Sequence, residues 1–262
     1  MRQRSPRLRG ALAVPGAYPA PGVLMGGRRR RPSPRRRLLQ GVSSLLIVCG
    51  LLVLADAALT LAWQEPVTAV IGLIERSHID KRFLSYRTAP LSRSDRHVLG
   101  GLTSSQQRIA FLARRERQQL ATGDAVGRLE IPRIGVDFTV VQGTDEGSLE
   151  KGPGHYPATA LPGLGQTVAI AGHRTTYLAP FRHLDALQPG DEIVLKMPYG
   201  RFVYTVQDSR IVSPTAVWIT RNHGYDRLVL SACNPLFSAA QRIVVFARLT
   251  DVRPLAAARP TV

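Results

Sequence analysis

Cysteine occurs twice in this sequence, lysine three times, and Asp or Glu not at all before Leu38. Each shortage excludes something. Two cysteines cannot build a cysteine-rich metal cluster, and the histidines lack the helical His-x-x-x-His spacing, so no metal is expected. No glycine-rich phosphate loop is present, and no cofactor is expected. Cys49 falls within an apolar run. A Cys49–Cys233 disulfide would need Cα atoms within about 7 Å, which a membrane-buried partner disfavours. Cys233 is then a single free thiol.

The lack of acid at the start explains most of the charge. Net charge is +17 over 262 residues. Eleven arginines precede Leu38, which leaves +6 for the rest. A basic tail of this kind serves either a nucleic acid or the cytoplasmic side of a membrane, and the next segment decides between them. Val42 to Trp63 is almost wholly apolar. As a helix it would span roughly 33 Å, enough for a bilayer core of about 30 Å. Arg35, Arg36 and Arg37 stand at one end and Trp63 at the other, where an interfacial aromatic belongs. The expectation is a single-pass anchor with a cytoplasmic N-terminus, the rest of the chain outside and no nucleic-acid partner. Asp56 interrupts the span, and Ala55-Asp56-Ala57 also reads as a cleavage site after an export signal. Both readings export the C-terminal part of the chain.

Five segments are expected: a disordered Arg-rich tail over 1–37, the anchor over 38–63, a polar connector over 64–124, a compact domain over 125–252 and a tail over 253–262. Helical patterns occupy Val67–Ile74 and Ser104–Leu120 of the connector. From Gly127 the texture changes to short apolar runs between Gly and Pro: Leu129–Ile134, Val136–Val141, Thr167–Ala171, Ile193–Met197, Phe202–Val206, Leu228–Leu230 and Val244–Leu249. That pattern predicts an all-β barrel or sandwich, with one short helix at Phe181–Leu187.

Two of these strands end in reactive side chains. Thr167–Ala171 runs through Gly172 into His173, and Arg227–Leu230 runs through Ser231 and Ala232 into Cys233. Pro235 stops regular pairing beyond the thiol. If the following strand returns as a hairpin, Arg242 at its start lies near Cys233. The three types suit acyl transfer: a thiolate as nucleophile, an imidazole to move protons, a guanidinium to stabilise an oxyanion. A lone Cys at a strand end is also a common small core residue. The pattern alone leaves both open.

At these same residues the sequence resembles the sortase family. Gly152–Pro157, Ala171–Tyr177, Leu187–Asp191, Leu230–Cys233 and Arg242 occur in the family's order, and the likeness is to the class E type of high-GC Gram-positive bacteria. The resemblance implies an eight-stranded sortase-type β-barrel with short helices, preceded by a transmembrane helix. It implies Cys233 as nucleophile, His173 as acid/base and Arg242 as the residue that positions substrate or the oxyanion. Tyr177 and Ala232 become substrate contacts. The implied reaction cleaves a Thr-Gly bond in a Leu-Pro/Ala-x-Thr-Gly-like sorting signal and passes the acyl group to a cell-wall or pilin amine. His155 sits in a family-like motif and is read as structural. Ala232 stands where sortases commonly carry Thr. A hydrolase with the same residues and a degenerate binding module are the alternatives.

Overall fold

The computed structural model describes residues 34–62, 66–87 and 91–255. Most of the Arg-rich tail, Trp63 and residues 256–262 lie outside the described residues. The chain divides into two units, Met1–Gly50 and Leu51–Val262.

Helix α1 (Pro34–Ala62) crosses that division. Its stretch Leu38–Ala58 has a mean hydropathy of 2.3 and buries none of its surface in protein. It is long and apolar enough to cross a membrane.

Eight strands close into a barrel in the order β1-β2-β3-β4-β7-β8-β6-β5. They are β1 (Ala125–Ile131), β2 (Val136–Gln142), β3 (Gly154–His155), β4 (Thr167–Ala171), β5 (Glu192–Met197), β6 (Gly200–Val212), β7 (Arg227–Asn234) and β8 (Gln241–Pro254). Closure comes from β1 pairing with β5. Alternation sorts the side chains. Leu228, Leu230 and Ala232 of β7 join Ile243, Val245 and Ala247 of β8 in the interior core. Val229, Val244 and Phe246 belong to a separate cluster with Ala169 and Ile219. Successive strand residues face opposite ways, so this second cluster lies on the outer face.

Three helices separate α1 from the barrel. Helix α2 (Pro66–Arg87) is much longer than Val67–Ile74. Its later turns are polar in sequence but pack on β1 and β2, burying Ile79 and Phe83 against Ala125 and Val141. Arg76 lies over the Phe138 ring at 4.4 Å, and Asp80 accepts from Thr139. Helices α3 (Arg93–Gly101) and α4 (Ser105–Gln119) open on capping boxes at Ser92 and Ser104. Each cap satisfies N–H groups that the first helical turn leaves free. Ile109, Leu112 and Ala113 of α4 join the barrel core. The same face buries Glu116 as well, with Oε1 unbonded among the described residues.

Two local expectations change. Leu129–Ile134 is not one strand: Pro132–Ile134 forms a 3-10 turn that ends at Gly135 with φ 66°. Phe181–Leu187 contains a 3-10 turn at Leu184–Ala186 instead of a helix. A four-residue helix, α5 (Glu146–Leu149), follows β2.

Candidate active site

Strand β4 pairs with β7 in parallel, from Thr167↔Arg227 to Ala171↔Ser231. The ladder continues with Gly172 N–H donating to the Ser231 carbonyl at 3.0 Å. Continued two residues past the ladder, this register sets His173 opposite Cys233. Cys233 shares the parity of Val229 and Ser231 on β7, so it lies on the outer face. Cys233 pairs directly with Arg242 across the antiparallel β7–β8 ladder. The fold thus draws three residues, spread over 70 positions of chain from His173 to Arg242, to one end of adjacent strands.

The loop after β4 is tightly held. A Cβ at Gly172 would lie 2.5 Å from the Phe181 ring, so only glycine admits that ring beneath the strand end. Phe181 N–H donates to the His173 carbonyl at 3.0 Å. Between them, Tyr177, Leu178 and Ala179 all have left-handed φ, 48°, 63° and 41°. Each such residue costs about 1–2 kcal/mol. Tertiary contacts hold the turn in place. The Tyr177 ring packs 5.1 Å from the His173 ring, and its hydroxyl donates to Glu150 at 2.9 Å. Gly72 of α2 comes so close that a Cβ there would meet the Tyr177 backbone at 3.2 Å.

His173 is partly buried, and its Nε2 is buried without a hydrogen-bond partner among the described residues. Burial holds the imidazole below the ordinary histidine range; the charges of Glu150 and Glu146 oppose this. A neutral ring with one uncommitted nitrogen can accept or return a proton. Cys233 is partly exposed. The exposed Leu236 and Phe237 come shortly after it in the chain.

Arg242 is the register partner of Cys233, but its Nη1 donates to the carbonyls of Ala239 and Gln241, both at 2.9 Å. Ala232, expected as a substrate contact, is 3% exposed with its side chain in the interior core. Only its backbone reaches the Cys233 face. His155 lies elsewhere. It is buried in β3, with Nε2–H donating to the Ala160 carbonyl at 2.9 Å and Nδ1 2.8 Å from the Gln142 amide. Burial lowers it to about 4, so it is a neutral structural residue.

Three residues escaped the sequence reading. Arg174, 5% exposed, donates through Nη1 to Asn234 Oδ1 at 2.6 Å and to the Cys233 carbonyl at 3.4 Å. Its Nε donates to the Arg182 carbonyl at 3.3 Å, and Asp185 pairs with Nη2 at 3.1 Å. It ties the end of the histidine strand to the end of the cysteine strand. Arg174 and Asn234 each follow a singled-out residue directly, which was the available signal. Glu150 had none. Among the described residues no cluster of His, Cys, Asp and Glu is suited to hold a metal ion.

Residues 129–250 match the sortase domain family model. The chain is similar to sortase D of Bacillus subtilis, 36% identical over 48% of this chain and 65% of that protein. It is also similar to sortase SrtE1 of Streptomyces coelicolor, 29% identical over 53% of this chain and 44% of that one. The aligned part is thus less than two thirds of the length of either. Among solved structures, the SrtF sortase from Corynebacterium diphtheriae matches with a TM-score of 0.50 and 28% identity, over 53% of this chain and 94% of that chain.

Proposed function

We propose, from the match of residues 129–250 to the sortase domain model, that the protein is a membrane-anchored cysteine transpeptidase acting on Leu-Pro/Ala-x-Thr-Gly-like sorting signals. The observation that carries this reading is the convergence of His173, Cys233 and Arg242 at one end of β4, β7 and β8.

His173 takes the thiol proton as the Cys233 sulfur attacks the Thr carbonyl carbon, and the carbonyl becomes an oxyanion. Collapse breaks the C–N bond to Gly, and protonated His173 supplies the proton that the departing amine needs. The product is a thioester on Cys233. An acceptor amine then attacks this thioester, His173 takes its proton and passes it to the departing sulfur, and the thiol is restored as the new amide forms. Arg242 stabilises the oxyanion by exchanging its backbone carbonyl partners for the substrate oxygen. Tyr177 braces the imidazole and borders the peptide groove. Ala232 contributes backbone alone.

Class D and class E relatives both resemble the domain, and Pro or Ala at the second motif position is a matter for substrate testing. The acceptor is a cell-wall precursor or pilin amine. The apolar helix Leu38–Ala58 anchors the protein, with the Arg35–Arg37 side in the cytoplasm and the barrel outside.

The test uses the full chain in detergent with quenched Leu-Ala-x-Thr-Gly and Leu-Pro-x-Thr-Gly peptides and an amine. Thr–Gly cleavage with ligation to the amine, lost in Cys233→Ala, is the expected result. Cleavage with water as the sole acceptor replaces transpeptidase by hydrolase. No cleavage and an unalkylated Cys233 would leave a binding module.

A further inference from the structure

At the far end of β7 from the thiol, the outer face holds a pocket of about 280 Å³, lined among others by Arg210, Trp218, His223, Tyr225, Arg227 and Phe246. Arg227 and Cys233 share the outward parity of β7. Six residues of strand separate them, about 20 Å. The pocket therefore stands apart from the chemistry at Cys233.

Its central group is Arg227, 7% exposed. The guanidinium lies 4.5 Å from the Phe246 ring centroid, and Nη2 donates to the Ile219 carbonyl at 3.1 Å. Its Nε is buried without an acceptor among the described residues. Among the described residues no carboxylate pairs with it. The neighbouring Asp226 is turned away, accepting from the N–H groups of Gly163 and Gly165. The one acid in the pocket lining, Asp208, is bonded to Arg210 at 2.6 Å. An enclosed guanidinium without a counter-ion is costly, and a ring face offsets only part of that cost. An incoming anion removes the imbalance, and arginine's planar fork suits a carboxylate or phosphate.

The remaining walls select what carries the anion. Trp218 stacks on Phe246 at 6.0 Å and 26° and keeps 37% of its surface exposed. It offers a flat apolar face beside the cation. Gln207, His223 and the Asp208–Arg210 pair supply donors and acceptors for hydroxyl groups. A purely aromatic acid would make no use of those groups. The volume falls just below the range of roughly 300–1,000 Å³ for drug-sized ligands, which suits one ring. We infer that this pocket binds an acidic monosaccharide unit, its carboxylate or phosphate on Arg227 and its C–H face on Trp218. The domain thereby gains a non-covalent hold on an acidic glycan, separate from any peptide at Cys233.

Trp63 and Trp218 are the two tryptophans of the sequence, so full-length Trp63→Phe in detergent makes Trp218 the reporter. Glucuronate and glucose 6-phosphate are titrated against it, with glucose, inorganic phosphate and benzoate as controls. Saturable fluorescence change with the sugar acids, at least about tenfold tighter than with any control, is expected. Calorimetry on Trp218→Ala and Arg227→Gln should show binding lost. Trp218→Ala alters a half-open surface residue and covers the case in which Arg227→Gln fails to fold. Phosphate or benzoate binding as tightly as the sugars, sugar binding that survives Trp218→Ala, or no binding by either sugar acid overturns the inference.

Discussion

Arg242 faces Cys233 directly across the β7–β8 ladder, yet its guanidinium rests on the carbonyls of Ala239 and Gln241 rather than over the sulfur. The cation is held within the loop that joins the two strands. An oxyanion at Cys233 offers it a charged partner in place of two neutral ones.

Replacing Arg242 by Ala should lower kcat by about 10²–10³, the usual cost of losing one oxyanion donor. Lys keeps the charge but not the fork and should restore only part of the rate. Iodoacetamide alkylation of Cys233 should change little in either variant. Peptide kinetics and alkylation rates measured on the same preparations check both halves.

Burial depresses the His173 pKa, and Glu150 is the larger of the two charges that oppose it. Glu150→Gln therefore lowers it further. In Cys233→Ala protein the His173 ring proton resonance should titrate below the ordinary value of about 6.5. In the double variant with Glu150→Gln it should titrate lower still. At neutral pH less imidazolium is then available to protonate the leaving amine, so Glu150→Gln alone should slow acylation. An upward movement of the titration would contradict this account.

Arg174 bridges Asn234, the Cys233 carbonyl, the Arg182 carbonyl and Asp185. Removing it leaves several acceptors unsatisfied, at about 1–3 kcal/mol for each buried one. Arg174→Ala and Asn234→Ala should each reduce kcat/KM by about tenfold or more, and the double variant should lose less than the product of the two. A double-mutant cycle in peptide cleavage, alongside melting temperatures, separates misplacement of the two strand ends from simple unfolding.

Glu116 has an orphaned oxygen inside α4's packing surface, and burial pushes its pKa up to about 8 against the opposing charge of Arg115. The folded chain keeps this proton up to about pH 8, while the unfolded chain releases it near the ordinary value of 4.5. Folding takes up a proton between those limits. Stability therefore falls as pH rises across that window, by at most about 1.4 kcal/mol per pH unit from this group. Glu116→Gln removes the dependence and should be more stable than the parent at about pH 8. Denaturant unfolding at several pH values reads the slope.

The barrel was legible because apolar runs with Gly and Pro punctuation mark strands whatever partner they find. His173, Cys233 and Arg242 were legible because each stands where an apolar run starts or stops. Pairing partners are not written locally. The full lengths of β6 and β8 were missed because Asp208, Ser209, Arg210, Thr250 and Asp251 look like loop residues, yet they lie within the β6–β8 ladder where both of its faces are open. The side-chain face of Ala232 becomes clear only once β7 is placed between β4 and β8. Helix α2 was cut short because Ile79 and Phe83 stand among charges, and it is β1 and β2 that give those two a surface to cover.

Parallel pairing of β4 with β7 has a further consequence. Cys233 follows His173 by 60 residues, and adjacent parallel strands cannot be joined by a tight turn. The intervening segment crosses over and carries β5 and β6 on its way. Loop-closure entropy is thus spent before thiol and imidazole become neighbours, a long-range arrangement that slows folding. Until then the chain carries an unassisted cysteine. On the proposed chemistry the unfinished molecule is quiet toward peptides, and a nick or mispairing anywhere in the crossover should silence it without touching either residue.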